Sequence, residues 1–442
     1  MATKGRTGRR RKRKKNGNYY NEHGRAIYEP EYIALFKWAK ENGISFGKLR
    51  PACFTQTGRG LMTCKKLRSD DLVISVPSHM LITSKTAEQS HIGKKLAKLK
   101  PALSAKNLLY VFILHEKYRE KRSFWYPYIT TLPRYFNTPA YFSEKEIYAL
   151  PVSLQQEFMC HILTVQETYK ELKEFFARHI SALDKNFVEF FTFEEFKWVW
   201  CVVNTRSVYK PDITNTDKAG MAATWTDDNY ALAPILDLLN HTDVAEVQAG
   251  FNQENDCYEI RTLSGYNKST QVFINYGPHD NRKLLMEYGF ILPKNMHNTV
   301  PVSKDLVFSL VMPEMRGISQ RKRELMSCNQ LDKDLCCSEE NGLSWSSLVL
   351  LRILAMDEDN FKKDWDRVLT GESLGKEVEL RVSHWIKCLI ERVLQSYQEA
   401  DKGIAAHLMS HNNLSVNMRL ALQLQYQEKQ ILENALQMVK LS

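Results

Sequence analysis

Apolar positions along the chain change their spacing several times, and each change marks an element. From Tyr32 to Lys40 they recur at helical intervals (Tyr32, Leu35, Phe36, Ala39), and Asn42-Gly43 ends the run. Between 50 and 83 the pattern alternates, most clearly over Leu72 to Val76 and Met80 to Thr83, and predicts a small β-meander. From about 90 to 225 helical spacing returns over Leu108–Tyr118, Glu144–Leu150, Ser153–Phe176 and Phe193–Val203, each with an aromatic face. Ser123 to Pro133 interrupts these helices as an ordered aromatic turn, and the polar, glycine-bearing stretch Asp212 to Asp228 reads as a mobile loop. Strand character resumes from 230 to 291, with Val247–Phe251 and Cys257–Arg261 predicted as a hairpin. After about 300 the pattern is helical: Trp345–Met356, Glu377–Leu394, and a last helix carrying Leu420, Leu424, Ile431, Ala435 and Met438 on one face.

With 442 residues, 43% of them hydrophobic and 25% charged, the chain has the composition of a globular protein of two or three domains. No apolar run approaches the roughly 20 residues of a membrane span, so no membrane association is expected. Nine scattered cysteines, none in a C-x-x-C pair, read as reduced thiols without a structural metal site. His79, His91, His115 and His161 lack carboxylate or cysteine partners nearby in the pattern and read as surface or satisfied histidines.

The net charge of +10 is a local property. Residues 1–15 hold nine of the 61 basic residues and no acid, which leaves 52 basic against 51 acidic residues in the rest. Residues 1–28 read as a disordered basic tail. Within it Arg9 to Lys15 fits importin-type recognition, or an arm seeking phosphates without sequence preference, so a nuclear as well as a cytoplasmic location is expected. No finger, basic zipper or helix-turn-helix follows that would read a DNA sequence.

The candidate chemistry lies between Tyr230 and Phe290. An apolar run from Ala231 stops abruptly at Asn240-His241. A second, Phe273 to Tyr276, ends in Tyr-Gly with Asn281 shortly after, and Glu287-Tyr288-Gly289-Phe290 closes the stretch. An apolar strand ending in Tyr-Gly places a phenol at its mouth with a backbone bend behind it.

Three pieces in this order, Gly58-Arg59-Gly60, Asn240-His241 and Tyr276-Gly277 with Asn281 and Tyr288-Gly289-Phe290, resemble the SET-domain methyltransferases. The helical insertion and the helical last third are similar to the split-SET group typified by Rubisco large-subunit lysine methyltransferase. The resemblance, which spans roughly residues 45–440, implies an α+β fold. A β-rich knotted SET domain (45–295) would be split by a helical insertion (about 90–225) and followed by an all-helical substrate-binding domain (300–442). It also implies S-adenosylmethionine as cofactor and a protein lysine as methyl acceptor, with histones a leading substrate class and other proteins open.

Residue by residue, the resemblance makes Tyr276 the channel phenol beside the transferred methyl. Asn240, His241 and Phe290 would serve the cofactor, together with backbone groups of Thr57, Gly58 and Arg59. Arg206 would pair with the cofactor carboxylate. Tyr288, Leu236 and Ser207 would shape the substrate channel. The chemistry suits these residue types: methyl transfer needs a neutral amine, whose ordinary pKa is about 10.4, aligned with the donor in an apolar channel.

Two departures qualify the resemblance. The plant group often carries an acid where Thr57 stands, which favours a backbone role there. The histidine-directed branch carries tryptophan where Leu236 stands and asparagine where Ser207 stands, so this pocket looks shaped for lysine. Histidine methylation and a catalytically silent scaffold that binds a partner through its C-terminal helices stay as alternatives.

Overall fold

The computed structural model describes residues 23–148, 150–210, 229–314, 317–410 and 414–441. The chain divides into two compact units, residues 1–136 with 163–278, and residues 137–162 with 279–442. The stretches Arg9 to Lys15 and Asp212 to Asp228 lie outside the described residues.

The first unit holds three small sheets and the helices around them. In the five-stranded sheet the order is Arg25–Ala26, Leu49–Phe54, Gly58–Thr63, Gln271–Ile274 and Asn240–His241. Its last pair is parallel, with Phe273 opposite Asn240 and Ile274 opposite His241; the other pairs are antiparallel. A second sheet orders Leu72–Pro77, Cys257–Thr262 and Val247–Asn252, and a third orders Ile82–Thr83, Tyr230–Leu232 and Ser207–Tyr209. The hairpin expected around 247–261 is present, with Tyr258 opposite Phe251.

Two expectations about the first 83 residues need correction. The alternating strands do not form one meander. Leu49–Phe54 and Gly58–Thr63 pair as a hairpin, while Leu72–Pro77 joins the second sheet and Ile82–Thr83 the third. Val73, Ile74, Ser75 and Val76 are all buried, so this strand is covered on both faces. The basic tail also ends earlier than residue 28. Arg25–Ala26 pairs with Ala52 and Cys53, and Ala26 packs on the cluster of Ala52, Phe54 and Met62.

The helical part of this unit is anchored around Trp125. The helix Ala105–Tyr118 presents Glu116, which accepts from the Ser123 hydroxyl at 2.6 Å, and Ser123 in turn accepts from the Trp125 N–H at 3.0 Å. The expected aromatic turn therefore contains a short helix, Tyr126–Ile129, whose Tyr128 is fully buried. His115, expected without a carboxylate partner, has Nδ1 3.6 Å from Glu116. All nine cysteines are free thiols, and no group of three metal-ligating side chains occurs among the described residues.

The second unit is helical, as expected for the last third, and adds one small sheet of Thr299–Pro301, Cys336–Ser338 and Gly342–Leu343. Its main core gathers Val349, Leu350, Ile353, Leu354, Trp385, Leu389, Ile431 and Leu432 from the helices Trp345–Ala355, Lys376–Ser410 and Val416–Leu441. A second core joins Phe142, Leu154, Phe158, Leu285, Ile291 and Leu424. Among the described residues no helix is long and apolar enough to cross a membrane.

Candidate functional site

Within the first unit, the segments 57–60, 206–207, 233–241 and 271–277 meet around the parallel ladder. The turn that enters it is strained. Ile235 has φ 71° and ψ −45°, a conformation that a β-branched residue rarely adopts, and its side chain is fully buried. The turn starts a short helix, Leu236–Leu238, which leaves Leu239 extended with its carbonyl turned to Tyr276.

Tyr276 is fixed at two points. Its hydroxyl donates to the Leu239 carbonyl at 2.8 Å, and its backbone N–H donates to His241 Nδ1 at 3.0 Å. The accepting Nδ1 places the His241 proton on Nε2 when the ring is neutral. The two rings lie 5.1 Å apart at 31°. The phenol proton is thus committed to a carbonyl.

Asn240 is tied to the glycine hairpin. Its Nδ2 donates to the Arg59 carbonyl at 2.9 Å. A Cβ on Gly60 would sit 2.8 Å from both Asn240 Nδ2 and Gln271 Nε2, so only glycine lets these two amides close over the strand. Gly58 sits at φ +71°, where the chain turns between the two strands. Thr57 donates from Oγ1 to Gln271 Oε1 at 2.8 Å. The Arg59 guanidinium points elsewhere, from Nη1 to the Tyr32 hydroxyl at 2.7 Å and to the Thr131 carbonyl at 3.2 Å.

Arg206 already has an anionic partner in the protein. Its Nη1 donates to the main-chain carbonyl and to the carboxylate of Asp237, both at 3.0 Å, and the Tyr128 hydroxyl donates to the same carboxylate oxygen at 3.0 Å. The Asp237 side chain is 1% exposed. Burial pushes its carboxyl up, and the Arg206 guanidinium and the Tyr128 hydroxyl oppose that shift. Burial alone would lower Arg206, but the Asp237 charge outweighs it and holds the guanidinium protonated. Tyr128 is raised well above its ordinary value by burial and by Asp237, so it stays a neutral donor. Asp237, Tyr128, Tyr32 and Gln271 received no site role from the sequence. Tyr128 lies in the expected aromatic turn and Asp237 in the apolar run before Asn240-His241, but their mutual contact is not visible in the spacing.

Several buried polar atoms beside these bonds lack hydrogen-bond partners among the described residues: Arg206 Nε, Ser207 Oγ, Asp237 Oδ1 and Gln271 Nε2. An unmet buried polar atom is costly, and such groups gathered at one place suit a polar ligand that completes them. The donors of Arg206 and Gln271 and the acceptor oxygen of Asp237, on segments that meet near the glycines of the hairpin, fit the carboxylate and amine of an amino-acid-bearing cofactor. Leu236 is fully buried and Ser207 half-buried.

Tyr288 and Phe290 belong to the second unit. Tyr288 ends a π-helical turn, Leu284–Tyr288, closed by Gly289 at φ 77°, and its ring lies 6.1 Å from His279 and 6.3 Å from Phe290. The turn is pinned at its base. Asn281 donates from Nδ2 to the Leu292 carbonyl at 2.7 Å and accepts from the Leu292 N–H at 3.0 Å. Arg282 meets Glu428 through Nε and Nη2 at 3.0 and 3.1 Å.

Comparison with known proteins agrees with this geometry. The family described as SET domain matches residues 58–277, and the one described as Rubisco LSMT substrate-binding matches residues 313–432. Human SET domain-containing protein 4 is 35% identical over 373 residues, covering 84% of this chain and 82% of its own. Human actin-histidine N-methyltransferase is 26% identical over 439 residues, covering 96% and 70%. The crystal structure of the SET domain of LSMT bound to lysine and AdoHcy superposes with a TM-score of 0.65 at 19% identity, covering 93% of this chain and 91% of that one. The chain therefore belongs to the SET-domain family of S-adenosylmethionine-dependent methyltransferases, in the group that joins a SET domain to a Rubisco LSMT substrate-binding domain.

Proposed function

We propose that this enzyme methylates the side-chain amine of lysine in a protein substrate. The observation that carries the reading is the fixed phenol of Tyr276, whose proton is held by the Leu239 carbonyl. An oxygen of that kind accepts one N–H of a neutral amine and so aims the amine lone pair. Leu236 and Ser207, where the histidine-directed branch carries tryptophan and asparagine, support a lysine rather than an imidazole acceptor. Bound S-adenosylmethionine supplies an electrophilic sulfonium methyl. Asn240, His241, the backbone of 57–59 and the spare polar atoms of Arg206 would hold it. The roles of Tyr288 as a channel residue and Phe290 as a cofactor contact stay part of this proposal.

The basic segment Arg9 to Lys15 supports a nuclear pool beside a cytoplasmic one, and with it histones as a substrate class. The test is mass spectrometry after incubating the protein and cofactor with histone octamers and with nuclear extract, with Tyr276→Phe as control. The expected result is methyl-mass steps on lysine that fall by at least roughly 10²-fold in the variant. Steps on histidine would support the alternative suggested by the actin-histidine relative. Equal labelling by both proteins would remove the role given to Tyr276. No labelling, with no stabilisation by cofactor, would favour the silent scaffold.

A further inference from the structure

We infer that the surface formed by residues 84–100 binds the phosphate backbone of double-stranded nucleic acid without reading its sequence. Residues 84–106 carry six lysines against one carboxylate, Glu88, in a chain that beyond residue 15 is otherwise close to charge balance. Lys85, Lys94, Lys95, Lys98 and Lys100 are all exposed, and none has an ion-pair partner among the described residues. Some exposed cations elsewhere are paired, as Arg367 is with Asp364 and Glu372 and Arg381 with Glu377. The sixth lysine, Lys106, is not part of the patch, because its ammonium lies 4.2 Å over the Tyr230 ring and donates to the Tyr230 hydroxyl.

The platform beneath the patch is rigid. The helices Ser84–Gln89 and His91–Leu96 are both capped by hydroxyls, Thr83 accepting from the Thr86 N–H and Ser90 from the Gly93 N–H. At Gly93 a Cβ would meet the Ala87 carbonyl at 2.0 Å, so the two helices touch backbone to backbone. Ala87, Ile92, Gly93 and Leu96 face the core while Lys94, Lys95 and Lys98 face solvent. The His179 ring meets the Lys100 carbonyl at 2.9 Å and pins the end of the segment.

The chemistry of the patch selects the partner. Protein interfaces are depleted in lysine and centre on aromatic anchors. None of the large exposed apolar side chains lies between 84 and 123. Single strands are held by stacking on aromatic rings, which the patch also lacks. Unpaired ammonium groups on a rigid surface suit a regular array of phosphates, as on a duplex.

The experiment is fluorescence anisotropy with the full-length protein and a mixed-sequence DNA duplex across a salt series, comparing wild type with the triple variant Lys94→Gln/Lys95→Gln/Lys98→Gln. Each phosphate contact contributes about −0.9 to the slope of log affinity against log salt, so the variant slope should be flatter by about 2.7. Between about 50 and 200 mM salt the wild type should lose roughly 40-fold more affinity than the variant. The basic residues of 1–15 are common to both proteins and cancel in the difference. Equal melting temperatures confirm that the surface changes leave the fold intact. Equal slopes, no duplex binding, or preference for a single strand or an acidic protein over the duplex would each overturn the inference.

Discussion

Arg206 and Asp237 are joined through a single guanidinium nitrogen, which donates to both the carbonyl and the carboxylate of the aspartate at 3.0 Å. The pair sits where the helix Phe193–Arg206 ends and the Leu236–Leu238 turn begins, so it ties the helical insertion to the site. Removing one member of a buried pair strands the other charge. Arg206→Ala should destabilise the first unit by about 3–5 kcal/mol, read as a lowered melting temperature. Asp237→Asn keeps the shape and a carbonyl acceptor but leaves the guanidinium without its counter-charge, and should cost about as much. Unchanged melting temperatures in both variants would mean that the pair is not what holds this corner.

Gly60→Ala places a methyl group 2.8 Å from two amides that close over the strand. Asn240 and Gln271 must then move, and the bond from Asn240 to the Arg59 carbonyl should stretch or break. The expected result is at least tenfold weaker S-adenosylmethionine binding by calorimetry, with the melting temperature of the protein alone lowered. Gly58→Ala, which meets no neighbour but must hold φ +71°, should instead cost about 1 kcal/mol of stability with little change in affinity.

The buried ion cluster in the second unit gives a separate test. Glu428 is 2% exposed and accepts from two nitrogens of Arg282 and from the Tyr397 hydroxyl at 2.5 Å. Its carboxylate and that of Glu157 hold the Arg282 guanidinium protonated, outweighing its burial. Glu428→Ala should therefore destabilise that unit by about 3–5 kcal/mol in chemical denaturation. Asn281, one residue earlier, is also held by the same helix, donating to Gln427 Oε1 at 2.6 Å. Gln427→Ala should cost less, about 1–3 kcal/mol, since it leaves an unmet amide rather than an unmet charge.

Acid should weaken the second unit before its carboxylates titrate. Burial lowers His161 from 6.5 to about 4, so the folded state resists a proton that the unfolded chain accepts. A base with a depressed folded value contributes stability that is complete above pH 6.5 and is lost as pH falls towards 4. The loss should approach about 3 kcal/mol over that window, at 1.36 kcal/mol per unit. Melting curves between pH 7.5 and 4.5 measure it, and His161→Phe should flatten the dependence. An unchanged dependence in that variant would place the titrating group elsewhere.

The layout of the candidate site was partly legible because its residues are motif residues at the ends of apolar runs. Asn240, His241 and Tyr276 follow directly from strands that stop at polar or glycine-bearing pairs, and Tyr276 and His241 prove to be bonded to each other. The partners that hold them were not legible. Asp237 and Tyr128 meet across 109 residues, and no local period encodes such a pairing. The same limit explains Leu72–Pro77, where alternation suggested one exposed face although the strand is covered on both. It also explains the small sheet of the second unit, whose strands of two or three residues are too short to show a period.

The strand Gly58–Thr63 pairs on one side with its hairpin partner and on the other with Gln271–Ile274, which is synthesised much later. A ribosome adding roughly 5–20 residues per second needs about 10–40 s to cover that gap. For that time the nascent chain carries a finished hairpin with one open, apolar edge bearing Leu61 and Met62, both buried in the end. An open edge of this kind is a template for pairing with another chain. The yield of soluble protein should therefore depend on chaperone capacity during synthesis more than on the stability of the finished fold.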